Sequence, residues 1–364
     1  MAKALSSRPE TILSMLSLFR RCFYSSGLVL VLALSLSVLH AQTPAAPTNP
    51  VPSASPVTAQ NPSPMVEHTR AHPRLTKQSP PGEHDLLPLG TLFLPQGLRR
   101  NRRSTLLFFF HGGDWLPELA ASHQHQMAVI TIQGGAGSGS YVRLFQDPAR
   151  FLSLVAAAES VSHMHFNEIA LAGWSAGCGA LRQILLDPAS YERVHRVLCI
   201  DGVHTGYIHD TPGPLESELD VSNLQIWLRF GRDAIAGQKR LILTHSEIFP
   251  GSFASTTETA DWLLRAWQLT PHPVARFGPM GTQMLSEVRS GGLLVVGFAG
   301  NSAPDHVDQL HSLPEYLRWL EQTPGTDRVL NLAGHRRWGL SARPVGMQVA
   351  VQARQVSGIL SLHW

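Results

Sequence analysis

The sequence contains few cysteines and few charged residues. Three cysteines occur among 364 residues, and charged side chains make up 15% of the chain. Cysteine clusters of the kind that bind zinc are therefore absent from the sequence. The formal net charge is only +3, without a dense basic stripe, which argues against nucleic acid as a partner. The hydrophobic content of 43% is sufficient for one large domain with a full core.

Motifs for metals and dinucleotides are also missing. Eighteen histidines are present, and they include the pairs His123/His125 and His163/His165. Neither pair has the i, i+4 spacing of ligands on a helix together with an acid. The glycine-dense stretch at residues 134–139 does not fit the pattern Gly-x-Gly-x-x-Gly. We expect neither a metal ion nor an organic cofactor.

Two of the three cysteines lie in segments that are predicted to fold. Cys178 follows a predicted strand-to-helix turn, and Cys199 lies inside a predicted buried strand. Cysteines in such positions are most often small core residues, so we expect free thiols rather than a disulfide.

The N-terminal segment has the features of an export signal. Arg20 and Arg21 precede an apolar run at residues 27–39, and Ala41 offers a cleavage point. The run is short for a membrane span, and an uncleaved anchor is the alternative. The arginine pair loosely resembles a twin-arginine signal. We predict that residues 1–41 are an export signal and that the protein is periplasmic, secreted or tethered to the cell envelope.

The composition divides the remaining chain into three parts. Residues 42–82 are rich in Pro, Ala, Ser and Thr, and they are predicted to form a disordered tether. Over residues 83–321 buried strands alternate with helices, which predicts an α/β catalytic domain on a mostly parallel, doubly wound sheet. A polar stretch near 205–223 is predicted to be a lid over the site. Residues 322–364 form a C-terminal extension to which the pattern assigns no structure.

One stretch carries the strongest chemical signal. An apolar run leads into Gly173-Trp174-Ser175-Ala176-Gly177, and a helix start rich in small residues follows. A serine on such a turn adopts a strained backbone, and flanking glycines leave room for it. We predict Ser175 as a nucleophile raised off the sheet edge, with the N–H of Ala176 as an oxyanion donor. A glycine-rich turn packed tightly against the sheet is the alternative interpretation.

A second glycine-rich turn follows an early buried strand. His111-Gly112-Gly113 comes directly after the apolar run Leu106–Phe110. Glycines at the carboxyl end of a strand let the backbone approach a ligand, so the N–H of Gly113 is the second candidate oxyanion donor. An ordinary strand-to-helix turn is the alternative.

These features resemble the α/β-hydrolase superfamily over residues 83–320. The resemblance rests on His-Gly-Gly, Gly-Trp-Ser-Ala-Gly and a histidine after the last strand, in that order. It implies the α/β-hydrolase fold, with Ser175 as nucleophile, Gly113 and Ala176 as oxyanion donors, and a triad in the order Ser, acid, His. His306 follows the last predicted strand and is the candidate base, and His311 is the alternative.

The acid of the triad departs from the superfamily's usual position. At that place, after the strand at residues 241–244, this sequence has His245-Ser246, and a histidine cannot replace a carboxylate. Asp201 ends the strand after the nucleophile helix, so we predict Asp201 as the acid, with capping of its own loop as the alternative role. Three other carboxylates are less well situated: Glu247, Asp305 and Asp308.

The predicted reaction is cleavage of a carboxylic ester, with an amide as the second choice, through a covalent acyl-enzyme. The expected partner is a small-molecule or lipid-like ester, with Trp115, Tyr141 and Trp174 binding an apolar acyl or aryl group. Three alternatives use the same fold: an acyltransferase, a haloperoxidase-like or other non-hydrolytic enzyme, and a binding protein without catalysis.

Overall fold

A computed structural model describes residues 71–208 and 217–322. The predicted signal, most of the tether, the middle of the lid and nearly all of the C-terminal extension lie outside these residues. Among the described helices, none is long and apolar enough to cross a membrane. The predicted domain boundaries therefore stay predictions.

Ten strands of the described chain form one sheet. Their bounds are β1 Gly82–Leu86, β2 Thr91–Pro95, β3 Thr105–Phe110, β4 Met127–Ile132, β5 Glu168–Trp174, β6 Arg196–Ile200, β7 Arg240–Ser246, β8 His272–Phe277, β9 Gln283–Ser290 and β10 Leu293–Phe298. The order across the sheet is β1-β2-β4-β3-β5-β6-β7-β10-β9-β8. The six strands in the middle of this order, β4-β3-β5-β6-β7-β10, pair in parallel, whereas the strands at both edges pair antiparallel.

The helices of the described chain connect these strands. Their bounds are α1 Trp115–Ser122, α2 Ser138–Leu144, α3 Ala149–Ser162, α4 Cys178–Leu186, α5 Pro188–Arg193, α6 Gln225–Ile235, α7 Thr256–Ala266, α8 Ala303–His311 and α9 Leu313–Glu321. α7 begins with a capping box, in which Ser255 and Glu258 bind each other's backbone N–H groups. The last two helices are separate, because Pro314 lies in the first turn of a new helix that begins after Ser312.

The central strands are buried on both faces. Every residue of β3 is buried, and successive side chains of a strand point to opposite faces. Leu106, Phe108 and Phe110 accordingly join one core cluster, whereas Leu107 and Phe109 join another. Layers of helices therefore cover both faces of a mostly parallel sheet. With the glycine-flanked turn of Ser175 at the end of β5, this arrangement confirms the predicted α/β-hydrolase fold.

The edge strands β1, β8 and β9 are absent from the sequence prediction. Their residues are largely exposed or half-buried, and β8 also contains Pro273. Such strands lack the continuous apolar run that identifies a strand buried on both faces.

Candidate active site

Ser175 stands at a strained turn between β5 and α4. Its φ is 51°, a left-handed value that is unusual for a residue with a side chain. A Cβ added to Gly177 would collide with the carbonyl oxygen of Phe110, and one added to Gly173 would lie 2.9 Å from the carbonyl carbon of Gly177. Both glycines are therefore needed for the turn to pack against the end of β3.

Asp201 and His306 form a hydrogen-bonded pair at the same edge of the sheet. Asp201 directly follows β6, has a φ of 44° and is only 2% exposed. The Nδ1–H of His306 donates to Oδ2 of Asp201 over 2.7 Å. This bond fixes the orientation of the imidazole and leaves Nε2 as its other nitrogen.

Two hydroxyl groups complete the surroundings of the Asp201 carboxylate. Ser246 donates to Oδ2 over 2.7 Å, and Thr256 donates to Oδ1 over 2.6 Å. Burial by itself raises the pKa of Asp201, but the hydrogen bond and charge of His306 and the two hydroxyls outweigh it. The pKa of Asp201 consequently lies below its ordinary value.

The turn at Ser175 packs directly against this pair. A Cβ added to Gly202, the residue after Asp201, would come within 2.5 Å of the carbonyl oxygen of Ser175. The indole N–H of Trp174 donates to the carbonyl oxygen of His306 over 3.1 Å, and the two rings lie 4.7 Å apart. The structure thus pairs two of the predicted triad residues, Asp201 and His306, and packs the turn that carries the third, Ser175, against them at the carboxyl ends of β5, β6 and β10.

The alternative base and acids have other contacts. Nδ1 of His311 accepts the N–H of Leu75, and burial together with the charge of Arg74 lowers the pKa of His311 to about 4. The other carboxylates bind elsewhere: Glu247 accepts the N–H of Gly300, Asp305 accepts from Ser302, and Asp308 contacts His72 and Arg74.

His72, Asp305 and Asp308 form a cluster that could bind a metal ion by its residue types. It is the one place in the described chain where three or more possible ligand atoms of His, Cys, Asp or Glu lie within 4.8 Å of one another. Asp308 is fully buried there and pairs with both His72 and the guanidinium of Arg74. The arginine already supplies the positive charge that a cation would bring. We therefore interpret the cluster as ion pairs between the segment at residues 72–75 and α8.

The three aromatic residues that were predicted to bind substrate contact histidine side chains. Trp174 lies between the rings of His306 and His111, with 5.1 Å between its centroid and that of His111. Tyr141 is fully buried, and its hydroxyl shares a hydrogen bond of 2.9 Å with Nδ1 of His111. Trp115 lies 5.8 Å from the ring of His311. None of the three predicted residues lines the cavity described next.

A cavity of about 570 Å³ opens beside Ser175. Ala176, the first predicted oxyanion donor, lines it, whereas Gly113 does not. The remaining wall comes from the loop after β3, from α2, α4 and the loop after β6, and from the start of α6 and the loop before α7. Its side chains are mainly His111, Ser138, Val142, Cys178, Arg182, His204, Thr205, Asn223, Trp227 and Phe253.

Sequence reasoning missed Arg182 and His204, although a signal existed for the first. Ser175, Cys178, Gly179 and Arg182 all line the cavity. Their spacing of i, i+3, i+4 and i+7 is that of one helical face. Extending the helix start after the nucleophile by two turns would have placed Arg182 at the cavity.

The two cysteines form a disulfide, so the expectation of free thiols is wrong. Cys178 begins α4 and Cys199 lies in β6, and their Cα atoms are 5.8 Å apart. The cause is the parallel register of β5 and β6, which pairs Gly173 with Cys199 and brings that strand beside the turn. The disulfide connects the helix after Ser175 to the strand that ends in Asp201.

No protein-family model matches the chain, and no curated protein matches it. Among solved structures, it is similar to oligopeptidase B from Leishmania major, with 10% identity, a TM-score of 0.38, and coverage of 63% of this chain and 34% of that one. The monoglyceride lipase from Saccharomyces cerevisiae has 9% identity and a TM-score of 0.36, covering 70% of this chain and 100% of the lipase. The acylaminoacyl peptidase from Pyrococcus horikoshii has 13% identity and a TM-score of 0.41, covering 70% and 44%.

The chain thus spans about a third of the oligopeptidase that it matches and less than half of the acylaminoacyl peptidase. The sheet order and the turn at Ser175 by themselves define the fold.

Proposed function

We propose that the protein is a serine hydrolase that cleaves a carboxylic ester, with an amide as the second choice, through an acyl-enzyme. The observation that carries the proposal is the 2.7 Å hydrogen bond between His306 and Asp201, next to the strained turn of Ser175. A serine, a buried carboxylate and an imidazole, in this order along the chain, are the residue types of a hydrolytic triad.

In this proposal Ser175 attacks the carbonyl carbon of the ester. His306 is held by Asp201 through Nδ1, so its Nε2 takes the proton of the Ser175 hydroxyl and returns it to the leaving alcohol. The carboxylate stabilises the imidazolium while the proton is on His306. Water then repeats the sequence on the acyl-enzyme and releases the acid.

Backbone N–H groups would stabilise the oxyanion of the tetrahedral intermediates. Ala176 lies in the first turn after Ser175, where N–H groups have no partner within the helix. The N–H of His111 is bound to the carbonyl oxygen of Ile132, which leaves the following glycines, with Gly113 as the predicted donor, for the second contact.

The proposed location is outside the cytoplasm, in the periplasm, the medium or attached to the cell envelope. The disulfide between Cys178 and Cys199 supports it, because disulfides persist in oxidising compartments. The proposed partner is a small-molecule or lipid-like ester, and nucleic acid is not proposed.

Labelling with a fluorophosphonate tests the proposal directly. The wild-type protein should react at one serine, and Ser175→Ala should abolish both labelling and ester hydrolysis, with turnover falling by roughly 10⁶-fold. Ser153→Ala, on the exposed side of α3, is the matched control and should behave as wild type. Absence of labelling in a folded wild-type protein would instead favour the binding protein. Transfer of the acyl group to an added alcohol, in excess of what the concentrations of alcohol and water predict, would favour the acyltransferase.

A further inference from the structure

One positively charged side chain lines the cavity beside Ser175. Arg182 lies on the cavity face of α4, two turns along the chain from the nucleophile. Within residues 71–208 and 217–322, its guanidinium makes no hydrogen bond or ion pair. Burial lowers the pKa of Arg182, although an arginine keeps its charge at any physiological pH.

The described part of the cavity wall offers Arg182 no opposite charge. None of the described residues that line it is Asp or Glu. The nearest acid by its electrostatic influence is Asp220, which is farther than an ion pair and whose carboxylate accepts from the N–H and the hydroxyl of Ser222. A half-buried guanidinium without an anion is costly unless a ligand supplies one.

A second polar group in the same wall also lacks a partner. The Nδ1 atom of His204 is buried and has no hydrogen bond within the described chain. Burial lowers the pKa of His204 to about 4, despite the opposing effect of Asp201, so the ring is neutral near pH 7. An unpaired buried nitrogen is as unfavourable as a lost hydrogen bond, and a ligand atom would satisfy it.

We infer that the substrate of the proposed hydrolase carries a carboxylate in addition to its ester group, and that Arg182 binds this carboxylate while His204 bonds to a further polar atom. The inference rests on the proposed function. Planar guanidinium groups bind carboxylates through two parallel hydrogen bonds, which gives both orientation and selectivity. The remaining wall contains Val142, Trp227 and Phe253, which suit the apolar chain between the two groups.

Two matched pairs of esters test this inference. Monomethyl adipate is compared with methyl hexanoate, which places the charge on the acyl side, and 3-acetoxybenzoate is compared with phenyl acetate, which places it on the leaving group. In the wild-type protein, kcat/KM should favour the charged ester by about tenfold or more in one pair, the magnitude expected for a hydrogen bond to a charged group. Most of the preference should lie in KM.

Four variants separate a specific contact from general electrostatics. Arg182→Gln should reduce the charged-to-neutral ratio of kcat/KM by about 10-fold to 100-fold, and Arg182→Lys should restore part of it. Arg143→Gln removes an exposed charge on α2 that does not line the cavity, and it should leave the ratio unchanged. Arg182→Glu should transfer the preference to methyl 6-aminohexanoate.

The outcomes are distinct. Hydrolysis of neutral esters without a preference for the charged member of either pair overturns the inference and leaves the proposed function standing. The same holds if Arg182→Gln retains the wild-type ratio, or if Arg143→Gln lowers it equally. If Ser175 is not labelled and none of the four esters is cleaved, the proposed function itself fails.

Discussion

Two neighbouring strands, β6 and β7, carry different side chains at their carboxyl ends: a carboxylate follows β6, whereas a histidine and a serine end β7. They run in parallel with Ile200 beside Thr244, so their carboxyl ends meet at one edge of the sheet. β6 is followed by Asp201, which binds the imidazole of His306. β7 ends in His245 and Ser246, at the position where the superfamily usually carries its acid.

The difference shows how a buried carboxylate is supported by its neighbours. Ser246, at the end of β7, donates to Asp201 and not to a histidine of its own. His245 turns toward α7, where its Nδ1–H donates to Thr257, whose hydroxyl donates in turn to the carbonyl oxygen of Ser246. In the proposed triad the acid therefore lies one strand closer to Ser175 than the position usual in the superfamily, and the end of β7 supplies a hydrogen bond to it.

The largest expected effect comes from removing the carboxylate after β6. Asp201→Asn should lower turnover by roughly 10⁴-fold, because the base loses its orientation and its charge partner. Glu247→Gln, next to the end of β7, is the control and should remain close to wild type. Circular dichroism checks the folding of both variants. If Asp201→Asn is folded and active while Glu247→Gln is inactive, the acid belongs to the end of β7.

The disulfide should contribute the next largest effect. It closes a loop with a sequence separation of 21 residues, for which chain entropy predicts about 3 kcal/mol of stabilisation. Cys178→Ser with Cys199→Ser, or treatment with a reductant, should therefore lower Tm by roughly 6 to 12 °C. Because the disulfide spans from the turn of Ser175 to β6, activity should be lost at a lower temperature than in the wild type. An unchanged Tm after complete reduction would contradict this role.

A smaller effect is expected from the hydroxyl that β7 provides. Ser246→Ala removes a donor from a buried carboxylate and should lower kcat about 10-fold, as expected for a hydrogen bond to a charged group. It should also raise the pKa of Asp201 toward its ordinary value. A carboxylate whose pKa is lowered by folding stabilises the native state at pH values above its ordinary pKa, and this stability is lost as the pH falls through the lowered pKa. The variant should therefore lose less stability on acidification than the wild type.

Thr257→Val is the matched control for this variant. It breaks the contact of His245 and leaves the donors of Asp201 in place. Its kcat should stay within about threefold of wild type, because no hydrogen bond to a charged group is removed. Equal losses in both variants would mean that the two strand ends are not distinct in function.

The smallest effect concerns the buried histidines near the two strand ends. Burial lowers the pKa of His204 to about 4 and also lowers the pKa of His245 below 6.5. Unfolded histidines bind protons from about pH 6.5 downward, so stability should fall between pH 6.5 and about 4. From pH 7 to 5.5 we expect a loss of roughly 1 kcal/mol for His204, measurable as a Tm lower by a few degrees. His204→Gln should reduce this slope, and an identical slope would contradict its burial in the neutral form.

Much of the fold is predictable because each central strand contains a continuous apolar run in the sequence. Runs such as Leu106–Phe110 are apolar at every position, and only a strand covered on both faces requires this. The edge strands β8 and β9 carry no such run, since one of their faces meets solvent, and they were missed. The start of α9 has a local signal, because Pro314 suits the first turn of a helix and not its interior.

For the site, local sequence indicates the turn at Ser175, because a strained turn needs glycines at fixed offsets. The proximity of Asp201 to His306 spans 105 positions and depends on which strands are neighbours in the sheet. Sequence reasoning proposed the pair from strand ends and chain order, but it could not supply the donors Ser246 and Thr256. Neither residue type is diagnostic until the fold sets both beside one carboxylate.

The sequence by itself determined the α/β class, the position of the nucleophile turn and the absence of a carboxylate at the end of β7. These are local properties, set by side-chain volume, backbone freedom and periodicity. The tertiary structure alone decided that Cys178 and Cys199 pair and that Trp174 packs against His306, whereas Tyr141 bonds to His111. It also decided that Arg182 enters the cavity, where none of the described lining residues is an anion. Each depends on the register between parallel strands and on the packing of helices against them, and residues far apart in the chain come together only through those contacts.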